Sequence, residues 1–167
     1  DFYFPIIALV VSGGHTELVL MRDHYDFEIL GKTMDDAVGE AYDKVGRVMG
    51  LPYPGGKYVD QLALQGTPRY QLPLVYLDKD SYNFSFSGLK SAVINLINQS
   101  KMKNEELNLA DLAASFQTVA TTVLVDKTIQ AAQEYNAKHI IVAGGVAANR
   151  GLRNLMKEKV SQLPGVV

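Results

Sequence analysis

The sequence predicts an α/β fold, a mixed sheet flanked by helices, and two observations carry that expectation. Three strand-like runs joined by short turns precede the first helix pattern, and a late apolar strand lies between two helical stretches. A chain of 167 residues is long enough for one domain with its own core, and 47% hydrophobic with 20% charged residues is an ordinary globular balance. A net charge of −2 gives no electrostatic footprint for tight, independent nucleic-acid binding. The absence of cysteine excludes a disulfide scaffold and any thiolate nucleophile or metal ligand. No run approaches the ~18 apolar residues of a membrane span and no signal peptide is visible, so the expectation is a cytoplasmic protein without a membrane partner.

The first strand, residues 6–12, breaks at Ser12-Gly13-Gly14, and a second follows over 16–22. A third covers 26–31 and closes on Gly31. Two glycines after a strand expose consecutive backbone N–H groups with no Cβ in the way, which suits an anionic phosphate, although such a turn often only closes a hairpin. A second pair, Gly144-Gly145, follows a strand over 138–143, and two such turns suggest a nucleotide gripped from two sides.

A helix is predicted over 35–49. Thr33 and Asp36 have capping-box-like spacing, and Gly50 ends the helix. Ala37, Ala41, Val45, Val48 and Met49 form its apolar stripe, with Glu40–Lys44 and Asp43–Arg47 as i,i+4 pairs opposite. The loop over 51–56 leads to a short helix at 57–65, residues 66–86 are irregular, and a helix follows over 87–99. Asn108 caps a long helix running to about residue 135, whose buried stripe is Leu112, Phe116, Val119, Ala120, Val123 and Leu124. A last helix occupies 147–161. This order is that of a ribonuclease-H-like lobe; a doubly wound dinucleotide fold fits less well, because no G-x-G-x-x-G opens a helix.

Several side chains are candidates for chemistry. Asp43 is either a surface partner of Arg47 or a bidentate acceptor for two ribose hydroxyls. Asp60 is either a first-turn carboxylate favoured by the helix dipole or part of the same cleft. In Phe84-Ser85-Phe86-Ser87-Gly88-Leu89-Lys90 the two phenylalanines read as core and Ser87 as an N-cap, leaving Lys90 without an assigned role. A helix that starts on Gly144-Gly145 turns its N–H groups toward a ligand, and Asn149 one turn in can face a purine edge or a ribose. His15, His24 and His139 have no H-x-x-x-H or H-E-x-x-H spacing, and no P-loop or G-x-S-x-G motif is present.

Six motifs in order now carry a resemblance across nearly the whole chain. They are Val11-Ser12-Gly13-Gly14-His15-Thr16-Glu17-Leu18, Asp35-Asp36-Ala37 with Gly39-Glu40-Ala41-Tyr42-Asp43-Lys44, Tyr53-Pro54-Gly55-Gly56, the segment Phe84 to Lys90, Ala114-Ser115-Phe116-Gln117, and Ala143-Gly144-Gly145-Val146-Ala147-Ala148-Asn149. The chain resembles the TsaD/Gcp family of tRNA threonylcarbamoyladenosine transferases, once labelled O-sialoglycoprotein endopeptidases. The resemblance implies the actin-like ATPase (ASKHA) fold and acyl transfer from threonylcarbamoyl-adenylate to adenosine 37 of tRNAs that read codons beginning with A. It implies that Val10, Val11, Ser12, Gly13 and Gly14 grip the phosphate or acyl-phosphate part of an adenine nucleotide, ATP or the adenylate. Asp43, Gly56, Asp60 and Asn149 would hold ribose and adenine. Its implied partners are tRNA and TsaB-like and TsaE-like proteins, with a dimer through a TsaB-like surface.

Two departures stand out. Lys57 occupies a position where the family often has proline. The family's iron or zinc ligands, an H-x-x-x-H helix and an aspartate, fall outside residues 1–167, so no metal ligand is expected in this chain. The expectation is therefore a single unit, residues 1–167, forming the C-terminal, nucleotide-side lobe of a two-lobed protein. The first lobe and the extreme C-terminus would be absent, and the fragment inactive alone. The competing readings are a metal-dependent glycoprotein endopeptidase and a non-catalytic scaffold paralogue.

Overall fold

A computed structural model describes residues 3–74 and 81–166. The chain forms β1 (Ile6–Val11), β2 (Thr16–Asp23), β3 (Asp26–Lys32), α1 (Val38–Val48), α2 (Gly55–Ala63), α3 (Ser87–Met102), α4 (Leu109–Glu134), β4 (His139–Ala143), a 3-10 turn (Gly145–Ala148) and α5 (Arg150–Val160). The sheet order is β3-β2-β1-β4. β1 and β2 run antiparallel from Ile6 opposite Met21 to Val11 opposite Thr16, and β2 pairs antiparallel with β3. β4 is parallel to β1, placing Ile6 beside His139 and Val10 beside Ala143. This is the mixed sheet flanked by helices that the element order predicts.

Period-two alternation sends Ile7, Leu9, Val11, Leu18 and Leu20 to one face, where all are buried. The helices close over that face. α4 is central to the layer: Leu112, Phe116, Ala120, Val123 and Leu124 are buried as expected, while Val119 is only partly buried. Ala113, Ala114, Val125, Ala131 and Ala132 are buried as well, so α4 is covered on more than one side. A helix apolar nearly all round belongs inside. The Tyr42 and Phe116 rings meet edge to face with centroids 4.9 Å apart, joining α1 to α4.

α1 and α2 cross at glycine contacts. A Cβ on Gly46 would lie 2.9 Å from the Gly55 Cα, and one on Gly55 would lie 2.8 Å from the Asp43 Cα. That closeness holds the start of α2 beside the middle of α1.

Several local expectations are corrected. α1 begins at Val38, not residue 35, with Ala37 as its N-cap. The Glu40 carboxylate reaches back to the Ala37 N–H at 3.4 Å, so the box runs from Ala37 to Glu40 rather than from Thr33 to Asp36. The Thr33 hydroxyl instead donates to the Asp36 carbonyl. Neither predicted i,i+4 ion pair of α1 forms: Lys44 contacts Asp36 at 3.1 Å, and Asp43 accepts from the Gly56 N–H at 3.3 Å. Exposed helix pairs are worth only about 0.3–0.5 kcal/mol, so a backbone donor or a better-placed carboxylate displaces them.

α2 starts two residues before the predicted 57, which places Asp60 mid-helix rather than in the first turn. The predicted helix from 147 divides into the 3-10 turn and α5, which Asn149 caps. Of the predicted irregular stretch, residues 75–80 lie outside the described residues; Phe84 makes an isolated bridge to Thr33. Among the described residues no helix is long and apolar enough to cross a membrane.

Candidate functional site

β1 and β4 are parallel, so their carboxyl ends lie on one edge of the sheet, where open α/β sheets leave a crevice for ligands. A cavity of ≈ 460 Å³ opens there. Its wall takes Gly13 from the β1–β2 turn, Tyr42 and Asp43 from α1, the Tyr53-Pro54 loop, Gly56, Lys57 and Asp60 from α2, and Gly145, Val146, Ala148, Asn149 and Arg150 beyond β4. The volume falls within the usual range for a small-molecule or cofactor site.

Of the residues implied to contact nucleotide, Gly13, Asp43, Gly56, Asp60 and Asn149 share this wall, whereas Val10, Val11, Ser12 and Gly14 do not line it. Val11 is fully buried in the core. The Ser12 N–H donates to the His15 carbonyl at 2.8 Å and the Ser12 Oγ accepts from the His15 N–H at 3.0 Å, so this residue closes the hairpin. The Ser12-Gly13 backbone packs on α1, since a Cβ on Gly39 would lie 2.5 Å from the Ser12 carbonyl oxygen. Gly144 has φ +100°, and a Cβ there would lie 2.1 Å from the Val11 carbonyl oxygen. The turns after β1 and β4 are thus pressed together by a glycine that no other residue replaces freely.

Behind the wall lies a buried polar network. The Tyr42 hydroxyl donates to Gln117 Oε1 at 2.9 Å, and Asn149 Nδ2 donates to the same oxygen at 2.8 Å. Gln117 Nε2 donates to Asp60 Oδ1 at 3.1 Å, while Asp60 Oδ2 accepts from the Arg150 N–H at 3.0 Å. Asn149 Oδ1 accepts from the Leu152 N–H at 2.8 Å, which makes it the N-cap of α5. Burial, together with the nearby Asp60 charge, pushes the Tyr42 hydroxyl pKa up, so it remains a neutral donor. Asn149 is therefore first a structural residue, its Oδ1 held by the start of α5 and its Nδ2 by Gln117.

Asp43 differs. It is half-buried, pairs with no side-chain cation among the described residues, and sits at the N-terminal turn of α2. Gln117 and Tyr42 stand in the sequence only as members of motifs, with no site role assigned to either. The available signal was a glutamine interrupting the apolar pattern of α4 one residue after Phe116.

The Phe84 to Lys90 segment belongs to a second cluster. Phe84 and Phe86 are core as expected, but Ser87 is not the N-cap of α3. Asp35 serves there, its Oδ1 accepting from the Phe86 N–H at 2.9 Å and the Ser87 N–H at 3.3 Å. Lys90 pairs with Asp36, with side chains 17% and 15% exposed, and the two lysines Lys90 and Lys44 hold the Asp36 carboxyl below its usual pKa. A lowered folded-state pKa stabilises the fold above the ordinary carboxylate range, and that stabilisation is lost as pH falls through the folded value. Lys90→Met is expected to cost about 1–2 kcal/mol at pH 7, between exposed and fully buried pairs. The difference should shrink below about pH 4. Urea denaturation at both pH values checks this, and a pH-independent cost would contradict it.

Among the described residues no three His, Asp or Glu side chains come together to hold a metal ion. His15 lies beside Glu17 at 3.7 Å, His24 packs on Phe4 and His139 stacks on Tyr3.

A family model described as tRNA N6-adenosine threonylcarbamoyltransferase, TsaD, matches residues 1–166. The chain belongs to the TsaD family. Relatives bearing that same description are 56% identical over 166 residues in Geobacillus kaustophilus, covering 99% of this chain, and 59% identical over 164 residues in Enterococcus faecalis, covering 98%. The Bacillus subtilis relative is 56% identical over 166 residues. The chain spans about half the length of these TsaD relatives, 47–48% of each.

Among solved structures, HypF from T. kodakarensis superposes with a TM-score of 0.71 at 11% identity, covering 97% of this chain and 31% of its own. A full-length HypF in a phosphate- and nucleotide-bound form gives 0.64 at 14% identity, covering 95% of this chain and 35% of its own. These likenesses bear on the fold alone, the mixed four-stranded sheet flanked by helices that this TsaD-family chain adopts.

Proposed function

We propose that residues 1–167 form the C-terminal, nucleotide-side lobe of a threonylcarbamoyl transferase, and that the cavity at the ends of β1 and β4 takes an adenine nucleotide. The observation that carries this reading is the convergence of Gly13, Asp43, Gly56, Asp60 and Asn149 on one wall, in a chain of this family. Asp43 and Asp60 are acceptors suited to ribose hydroxyls. The Gly13 backbone, with Val10, Val11, Ser12 and Gly14 setting its path, is suited to the phosphate part. Lys57 and Arg150 add positive charge to the same wall.

In the full-length protein the N6 amine of adenosine 37, in tRNAs reading codons that begin with A, attacks the carbamoyl carbon of threonylcarbamoyl-adenylate. The bond from that carbon to the phosphate oxygen breaks, AMP leaves, and the amine loses a proton. The iron or zinc ion that the resemblance implies would be held by the family's H-x-x-x-H helix and aspartate, which fall outside residues 1–167. TsaB-like and TsaE-like partners and a cytoplasmic setting complete the proposal.

The test fills the cavity without disturbing the fold. A Cβ on Gly56 would meet nothing closer than 3.6 Å, the Tyr42 Cβ. Gly56→Leu in the full-length protein is expected to fold normally, since leucine is favoured over glycine in a helix by about 0.8–1 kcal/mol. Its affinity for ATP, measured by calorimetry, should fall at least tenfold. Wild-type affinity in that variant would mean that the nucleotide lies elsewhere.

A further inference from the structure

Asp60 and Asn149 do not hold their own orientation in the cavity wall. Two backbone donors of α5 do, and one glutamine transmits the constraint. The Leu152 N–H takes Asn149 Oδ1, which obliges Asn149 Nδ2 to point the other way. That N–H₂ then demands an acceptor, so Gln117 must present Oε1 there, where the Tyr42 hydroxyl also donates. With Oε1 fixed, Gln117 Nε2 must face Asp60, whose second oxygen is taken by the Arg150 N–H. A flipped Gln117 amide would set donor against donor at Asn149 and acceptor against acceptor at Asp60.

Packing closes the alternatives. Gln117 is 7% exposed, and a Cβ on Gly151 would lie 2.6 Å from its Nε2, so glycine leaves room for the amide in this orientation. Gln117 itself is not part of the cavity wall, although the three side chains it bonds, Tyr42, Asp60 and Asn149, all are.

We infer that Gln117 is a positioning residue of the nucleotide cavity, setting the Asp60 carboxylate and the Asn149 amide from α4 through one side-chain amide. This rests on the nucleotide reading of the cavity. It adds that affinity depends on a residue that never touches the ligand. Glutamate is nearly the same shape but not the same chemistry, since it would accept from Tyr42 and Asn149 and oppose Asp60 with like charge. Such a pair retains a proton to a higher pH than either acid alone. When held, that proton replaces the missing Nε2–H; when lost, repulsion drives Asp60 from its place. The charged and titratable groups around this point are Tyr42 on α1, Asp60 on α2, and Arg150 and Glu158 on α5, with Asp43 and Lys57 elsewhere on the cavity wall.

The experiment titrates ATP into the full-length wild type, Gln117→Glu and Gln117→Leu from about pH 6 to about pH 8.5, with thermal midpoints recorded alongside. The inference expects wild-type affinity to be flat with pH. Gln117→Glu should bind about tenfold more weakly at the alkaline end and recover toward pH 6. Gln117→Leu should bind weakly throughout. A purely structural role would lower the midpoints and leave the affinity of the folded protein unchanged, and that result overturns the inference. So does wild-type affinity in Gln117→Glu at every pH. A wild type that binds no ATP removes the nucleotide reading itself, and the inference with it.

Discussion

Replacing Gly144 by alanine is expected to destabilise the fold more than any surface change. Gly144 sits at φ +100°, ψ 171°, a region that only glycine occupies without strain. Its missing Cβ would also fall 2.1 Å from the Val11 carbonyl oxygen and 2.7 Å from the Val11 carbonyl carbon. Backbone strain and forced overpacking each cost about 1–3 kcal/mol, against a total stability of about 5–15 kcal/mol for a domain. The strained contact joins the ends of β1 and β4, where the cavity opens, so ATP affinity should fall together with stability. Urea denaturation should give a lower midpoint with an unchanged slope. Gly145→Ala is the control, because nothing lies within 4 Å of a Cβ there and φ is not positive; its stability should stay within about 0.5 kcal/mol of wild type. Equal midpoints for the two variants would show that the turns after β1 and β4 do not meet as described.

Asp43→Ala in the full-length protein should cost affinity and little else. A carboxylate holding ribose hydroxyls makes charge-assisted bonds worth roughly 1.5–3 kcal/mol, or about a ten- to hundredfold change in the dissociation constant for ATP. The fold loses only the 3.3 Å bond to the Gly56 N–H at the start of α2. Asn149→Ala is expected to differ: removing the N-cap of α5 costs about 0.5–2 kcal/mol of stability, and Gln117 loses a donor with it. Its affinity and thermal midpoint should therefore fall together, whereas Asp43→Ala separates them. Asp23→Ala, at the far end of β2, should change neither. Calorimetric titration with parallel denaturation checks all three, and unchanged ATP affinity in a folded Asp43→Ala protein would put the site on another face of α1.

The strands are legible because alternation and turn glycines are local signals: these predict strands over 6–12, 16–22 and 26–31, and Ile6–Val11, Thr16–Asp23 and Asp26–Lys32 form. Asn108 was legible as a cap for the same reason, since its side chain serves the Asp111 N–H three residues on. Ion pairing was not. Asp43 and Arg47 have the right spacing, but the partner Asp43 takes, Gly56, is set by how closely α1 and α2 cross. For Asp60 the sequence leaves a first-turn carboxylate and a cleft residue both open, and the start of α2 at Gly55 decides between them by placing Asp60 mid-helix and on the cavity wall. Gln117 lay inside a motif that carried the family resemblance, yet sequence spacing does not reveal partners at positions 42, 60 and 149. The long-range pairings that build the cavity depend on helix crossings that no single segment specifies.

The pairing of β1 with β4 also sets when the cavity exists. The strand beginning at Ile6 is completed by one beginning at His139, and the wall needs residues as late as Arg150. Contacts this distant in sequence form slowly, because the loop must be closed before any bond rewards it. As the chain emerges from a ribosome, the β1–β2–β3 hairpins can form early, while the glycine turn after β1 waits for its counterpart. The cavity is then a property of the finished fold, and any ligand that stabilises it acts on the last step of folding rather than the first.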